Sequence, residues 1–78
     1  MMFKSIRILF LIDNGFKNKD IIKELNIMQS YFYKVVNKYK NLDLIKRSSH
    51  GYLVMTNKGK VMLNNYRKEL GLETRKIK

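Results

Sequence analysis

Asp20-Ile21-Ile22-Lys23-Glu24-Leu25-Asn26-Ile27-Met28-Gln29-Ser30-Tyr31-Phe32-Tyr33-Lys34-Val35-Val36 holds two apolar patterns of helical period separated by a short break. Ile21, Ile22 and Leu25 form one apolar set of helical period, and Phe32, Val35 or Val36, and Tyr39 form a second, with Asn26-Ile27 between them. Asn26 tolerates the left-handed backbone that a tight turn between helices requires. The spacing therefore predicts two helices crossing steeply, with Leu25, Ile27, Phe32 and Val36 meeting in the angle. The second of them runs from Met28 to near Asn41, taken as 28–40.

Upstream, Phe3, Ile6, Leu9 and Phe10 recur at helical spacing, and Asn14-Gly15 ends the pattern as a left-handed cap on which Phe16 returns toward Leu11. Ile8, Leu11 and Ile12 are left over once that face is turned inward, so the first helix is expected to carry a second buried surface. Asn18 is expected to cap the second helix by accepting its free N–H groups, with Asp20 complementing the dipole. Downstream the period changes to two: Leu44-Ile45-Lys46-Arg47, then Ser48-Ser49-His50-Gly51, then Tyr52-Leu53-Val54-Met55. This predicts a β-hairpin, with Gly51 supplying positive φ in the loop. Thr56 then caps a last helix whose apolar positions are Met62, Leu63, Tyr66 and Leu70, before Gly71 stops it. A one-rung strand at Phe16-Lys17 is expected beside the hairpin, and the tail 72–78 is expected to be frayed. The class is mainly α with a small β-hairpin, in a single domain over 1–78.

Composition narrows the chemistry. The 78 residues suit one domain, in which folding buries roughly 60% of the surface of the unfolded chain. Lys and Arg number 17 against 6 Asp and Glu, a formal net charge of +11. No cysteine and a single histidine exclude disulfides and a zinc site held within one chain, so no metal or cofactor is expected. The longest apolar run, Ile8 to Ile12, is far short of the ~18 residues that span a bilayer. A cytoplasmic protein without a membrane partner is expected. Enzymatic readings fare badly: Ser48, Ser49 and His50 are neighbours in a turn, where nothing aligns a nucleophile with a base. Asp20 and Glu24 lie four apart but beside Lys19 and Lys23, which makes a solvated charged face. Met28, Met55 and Met62 read as core filler.

The surface that remains is more informative. With Phe32, Val36 and Tyr39 buried, the third helix keeps Gln29, Ser30, Tyr33, Lys34, Asn37 and Lys38, a set of donors, acceptors and cations without a carboxylate. Gln pairs bidentately with adenine, Lys donates to guanine, and Ser, Asn and Tyr suit bases or phosphates. The hairpin tip adds Lys46, Arg47 and His50, with no acidic residue from Lys46 to Asn57, which fits phosphate or minor-groove contact. Asn18 and Lys19 stand where the dipole of the second helix assists a phosphate contact. Between Met28 and Lys60 the charges are Lys34, Lys38, Lys40, Lys46, Arg47, Lys58 and Lys60 against Asp43 alone.

Taken together, the Asp20–Val36 pattern, the Asn41-Leu42-Asp43-Leu44-Ile45 bend, the basic hairpin and Leu53-Val54-Met55-Thr56-Asn57-Lys58-Gly59-Lys60 resemble the winged helix-turn-helix family of DNA-binding transcriptional regulators. The bend stands where that family often has a leucine-glycine-leucine-isoleucine sequence, and the last stretch is similar to its leucine-threonine-x-lysine-glycine entry to the final helix. Asn26 replaces the usual turn glycine, and Met28 stands where a Ser or Thr cap is commoner. The resemblance covers roughly Phe3 to Leu70 and is greatest to small stand-alone members from archaea and their viruses or plasmids. It implies the order helix, short strand, helix, helix, strand, strand, helix, with the third helix in the major groove of double-stranded DNA and the wing 46–51 on the backbone or minor groove. It also implies a homodimer through the first and last helices; because 78 residues leave no room for an effector domain, a repressor acting by operator occupancy without a small-molecule effector is expected. Two other classes compete: a nonspecific architectural DNA binder, because the positive charge extends beyond the motif, and a winged-helix protein-interaction module in a replication or transcription complex.

Overall fold

The computed structural model describes residues 3–70. Four helices and one two-stranded antiparallel sheet follow in the order α1 (Lys4–Asp13), α2 (Asn18–Leu25), α3 (Gln29–Asn41), β1 (Ile45–Arg47), β2 (Leu53–Met55) and α4 (Asn57–Leu70). Among the described residues no helix is long and apolar enough to cross a membrane.

The first three helices end by one device. Gly15, Asn26 and Asp43 each take positive φ, at 87°, 54° and 62°. The next residue then donates its N–H back to a carbonyl of the last turn: Phe16 to the Leu11 carbonyl at 3.0 Å, Ile27 to Ile22 at 3.2 Å, and Leu44 to Tyr39 at 3.0 Å. Each closure satisfies a terminal carbonyl and turns the chain sharply, so that Leu44 and Ile45 re-enter the core directly after α3. Asn26 therefore acts as the sequence predicts, and Asp43 does the same work in the bend.

The core is one cluster to which every element contributes. Ile8, Leu9, Phe32, Ile21, Ile45 and Leu63 are almost completely enclosed. Leu25 and Val36 join Phe32 as expected, with Ile27 partly buried against them. α1 occupies the middle, packing on α2, α4 and β2, while α3 packs on β1. This position corrects the reading of α1. Ile8, Leu9 and Ile12 face the core, Leu11 packs against it, and Phe3 is 76% exposed. Ile8, Leu11 and Ile12 are thus consumed within the chain and are not a spare surface. Tyr39 ties α3 to α1, its hydroxyl donating to the Ser5 carbonyl at 2.6 Å. Burial pushes that hydroxyl above the ordinary tyrosine value of 10.0.

The sheet pairs Ile45 with Met55, Lys46 with Val54 and Arg47 with Leu53. Among the described residues it has two strands, and Phe16-Lys17 does not join it, so the expected short strand is absent there. A single residue locks the sheet to α4. Thr56 accepts from the Gly59 N–H through Oγ1 at 3.0 Å, as the sequence predicts for a cap, and its hydroxyl also donates to the Asp43 carbonyl at 2.7 Å. Gly59 is buried in the first turn of α4, where an added Cβ would collide with the Leu44 carbonyl and come within 2.8 Å of Met55 Cε. Glycine there is a packing requirement. On α4 Leu63 is buried and Met62 and Tyr66 are half-buried. The expected stop at Gly71 and the tail 72–78 lie outside the described residues, as does the Leu70 side chain.

Candidate nucleic-acid interface

α3 begins at Gln29, one residue later than the sequence reading places it. Met28 occupies the cap position with no side-chain hydrogen bond and is 73% exposed. The inward face of the helix is fully committed: Phe32, Val35, Val36 and Tyr39 are all buried. At 100° per residue, Ser30, Lys34 and Asn37 then fall on the line directly opposite, and Asn41 continues it by one more step of four. All four are exposed, with no carboxylate among them. Gln29 and Tyr33 flank this line on one side, and Lys38 flanks it with Tyr31 on the other. Tyr33 is held at the flank by an edge-on contact with Phe32, ring centroids 5.2 Å apart.

The hairpin tip is ordered by Ser48. Its N–H donates to the Tyr52 carbonyl at 2.7 Å, and its Oγ accepts from the N–H groups of His50 and Tyr52 at 3.3 and 3.2 Å. Gly51, at φ 85°, completes the turn by donating to the Ser48 carbonyl. Arg47 folds back on the tip, Nη1 donating to the Gly51 carbonyl at 3.1 Å. Lys46, Arg47 and His50 are all exposed, so the tip presents two cations and an imidazole beside a pinned loop.

Asn18 is not a cap. The cap position of α2 is Lys17, which makes no side-chain cap bond, and Asn18 is the first helical residue. The short passage from Gly15 to Asn18 places the helix start one residue earlier than the capping preference of Asn indicates. Asn18 and Lys19 instead line an open groove of about 910 Å³ together with Gln29 and Tyr33. Four of the sequence-predicted residues thus come together. Ser30, Lys34, Asn37 and Lys38 stay on the outer surface of α3, and Lys46, Arg47 and His50 do not line the groove.

Sequence reasoning missed several participants. Lys17, Tyr52 and Lys60 also line the groove, and the Lys17 ammonium sits 5.7 Å from the centre of the Tyr52 ring, linking the start of α2 to the hairpin. These three come from separate elements, so no spacing announces them. Asn41 is legible in sequence, because 30, 34, 37 and 41 form one helical line. Ser48 carries a weaker signal, a hydroxyl at the first residue of a turn.

A rigid helix face of amides, a hydroxyl and a lysine can reach the edges of bases, and pinned cations beside it can reach phosphates. Among the described residues no three His, Asp or Glu side chains come together as metal ligands would. Comparison of the chain with family models, with curated proteins and with solved structures gave no match.

Proposed function

We propose that the chain is a winged helix-turn-helix domain that binds double-stranded DNA at preferred sequences and regulates transcription by occupying an operator. The observation that carries this reading is the outward line of α3. Ser30, Lys34 and Asn37 are exposed on a helix whose opposite face is anchored by four buried side chains, so base-reading and phosphate-binding groups sit on a support that does not yield. Gln29 and Tyr33 extend the face toward base edges, and Asn37 and Lys38 toward phosphates. Lys46, Arg47 and His50 serve as wing contacts, and Asn18 and Lys19 supply a further backbone contact at the start of α2. Steric exclusion at the operator is the simplest mode of repression, in the cytoplasm and without catalysis.

The reading includes a homodimer through α1 and α4, which would set two recognition helices one turn of DNA, ~34 Å, apart. Its support shifts from the residues now buried to Phe3, 76% exposed on entry to α1, and Val61, 60% exposed on α4. Sedimentation at micromolar concentration should give twice the single-chain mass.

Selection of bound duplexes from a random library, followed by competition, tests the function. A regulator should prefer its selected site to random DNA by at least ~10³. A second reading, a nonspecific architectural binder, is favoured by one observation: Lys4, Arg7, Lys23, Lys58 and Lys68 are exposed away from the α3 line. It predicts almost no preference in the same competition.

A further inference from the structure

The groove between the α1–α2 turn and β2 holds an unusual combination of groups. Ser48 N–H bonds the Tyr52 carbonyl and Thr56 N–H bonds the Leu44 carbonyl, with Lys46 opposite Val54 between them. In an antiparallel ladder the alternate residues, Leu53 and Met55, direct their N–H and C=O groups to the other edge. The passage Phe16-Lys17 runs past β2 without pairing, and those groups have no backbone partner among the described residues. Donors and acceptors of a strand edge therefore border a groove of about 910 Å³ to which Leu53 and Met55 both contribute.

The walls are aromatic and cationic. Phe16, Tyr33 and Tyr52 line the groove while remaining 37%, 40% and 53% exposed. Lys17, Lys19 and Lys60 stand around it. Asp13 is the acidic residue of the lining, and its carboxylate is already paired with Arg67 at 3.1 Å. Rings for stacking, ammonium groups for phosphate and an unpaired strand edge of N–H and C=O groups match the three parts of a nucleotide: its π-face, its phosphate and its base edge.

We propose that this groove is a binding site for single-stranded nucleic acid, taking an unpaired base against Tyr52 and its flanking phosphates on Lys17, Lys19 and Lys60. A base stacking on Tyr52 takes the place now held by the Lys17 ammonium, which turns to the phosphate. The site goes beyond the duplex reading, because paired bases in a duplex cannot offer their faces to a side groove. An extended peptide adding to the β2 edge would use the same N–H and C=O groups, but it leaves three exposed rings and three lysines without matched partners.

The test measures fluorescence anisotropy of the full chain with four probes: a dodecamer of deoxythymidylate, the same backbone with abasic sites, thymidine monophosphate, and a Glu-rich extended decapeptide. Duplex binding is measured on the same preparations. The base-bearing dodecamer should bind at least about tenfold more tightly than the abasic one, since each stacked base adds affinity beyond the charge contribution. Tyr52→Ala should lose about tenfold on the dodecamer, and Tyr52→Phe should retain it. Lys34→Ala should leave dodecamer binding within about twofold while weakening duplex binding, which separates this site from the outward line of α3, although Lys19, Gln29 and Tyr33 border both. Equal binding of abasic and base-bearing strands, indifference to Tyr52→Ala, tighter binding of the peptide, or mononucleotide binding as tight as the dodecamer would each overturn the proposal.

Discussion

α3 and α1 are both amphipathic helices of similar length, and their sequences behave oppositely. In α3 the apolar residues are confined to Phe32, Val35, Val36 and Tyr39 apart from two half-exposed tyrosines, so only one rotation buries them. In α1 every residue from Ile6 to Ile12 except Arg7 is apolar, and several rotations bury similar area. The choice is then made by what surrounds the helix. α2, α4 and β2 all pack on α1, which enlarges its buried arc and turns Ile8, Leu9 and Ile12 inward. The polar face of a helix is reliable when the apolar one is narrow, and ambiguous when it is broad.

Truncating single side chains tests the difference between the two helices. Ile8→Ala and Phe32→Ala should each cost about 2–5 kcal/mol in denaturant unfolding, because both side chains are fully enclosed. Ile6→Ala, at a half-buried position on the face that the spacing favours, should cost no more than about 1 kcal/mol. Equal losses at Ile6 and Ile8 would return the core to the spacing-based face.

The bond that joins the two helices has a smaller effect with a pH signature. Tyr39→Phe should cost about 1 kcal/mol at neutral pH by removing the hydrogen bond to Ser5. Folding holds the phenolic proton more tightly, so the contribution is complete below the unfolded tyrosine value of 10.0 and is lost as pH rises above it. The wild-type stability curve should therefore fall more steeply above that pH than the curve of Tyr39→Phe. Smallest of all, Asn26→Gly should stabilise by about 0.5 kcal/mol, because glycine adopts φ 54° without the side-chain penalty.

The legible features are those set by local chemistry. The left-handed exits at Gly15 and Asn26, the hairpin turn at Gly51 and the Thr56 cap each depend on a few neighbouring residues, and each stands where the sequence places it. The rotation of α1, the start of α2 at Asn18 and the lack of a strand at Phe16-Lys17 depend on distant partners, and local spacing misreads all three. The candidate surfaces divide in the same way. The outward line of α3 follows from its period, whereas the groove joins Lys17, Tyr52 and Lys60 from the α1–α2 turn, the hairpin and α4. Gly59 lies between these cases. Its place in the Thr-x-x-Gly stretch is visible in sequence, but the reason for it, the Leu44 carbonyl standing where a Cβ would go, is tertiary.

The outward line of α3 and its flank, not the net charge of the chain, should carry duplex binding. Two variants of equal charge test it on the best selected duplex: Lys34→Ala with Lys38→Ala on α3, and Lys4→Ala with Lys68→Ala on α1 and α4. The α3 pair should lose at least about thirtyfold in affinity and lower the salt slope by about 0.9 for each phosphate no longer neutralised, while the other pair should change affinity by less than about threefold. Equal losses from the two pairs, or duplex binding unchanged by the α3 pair, would contradict the account.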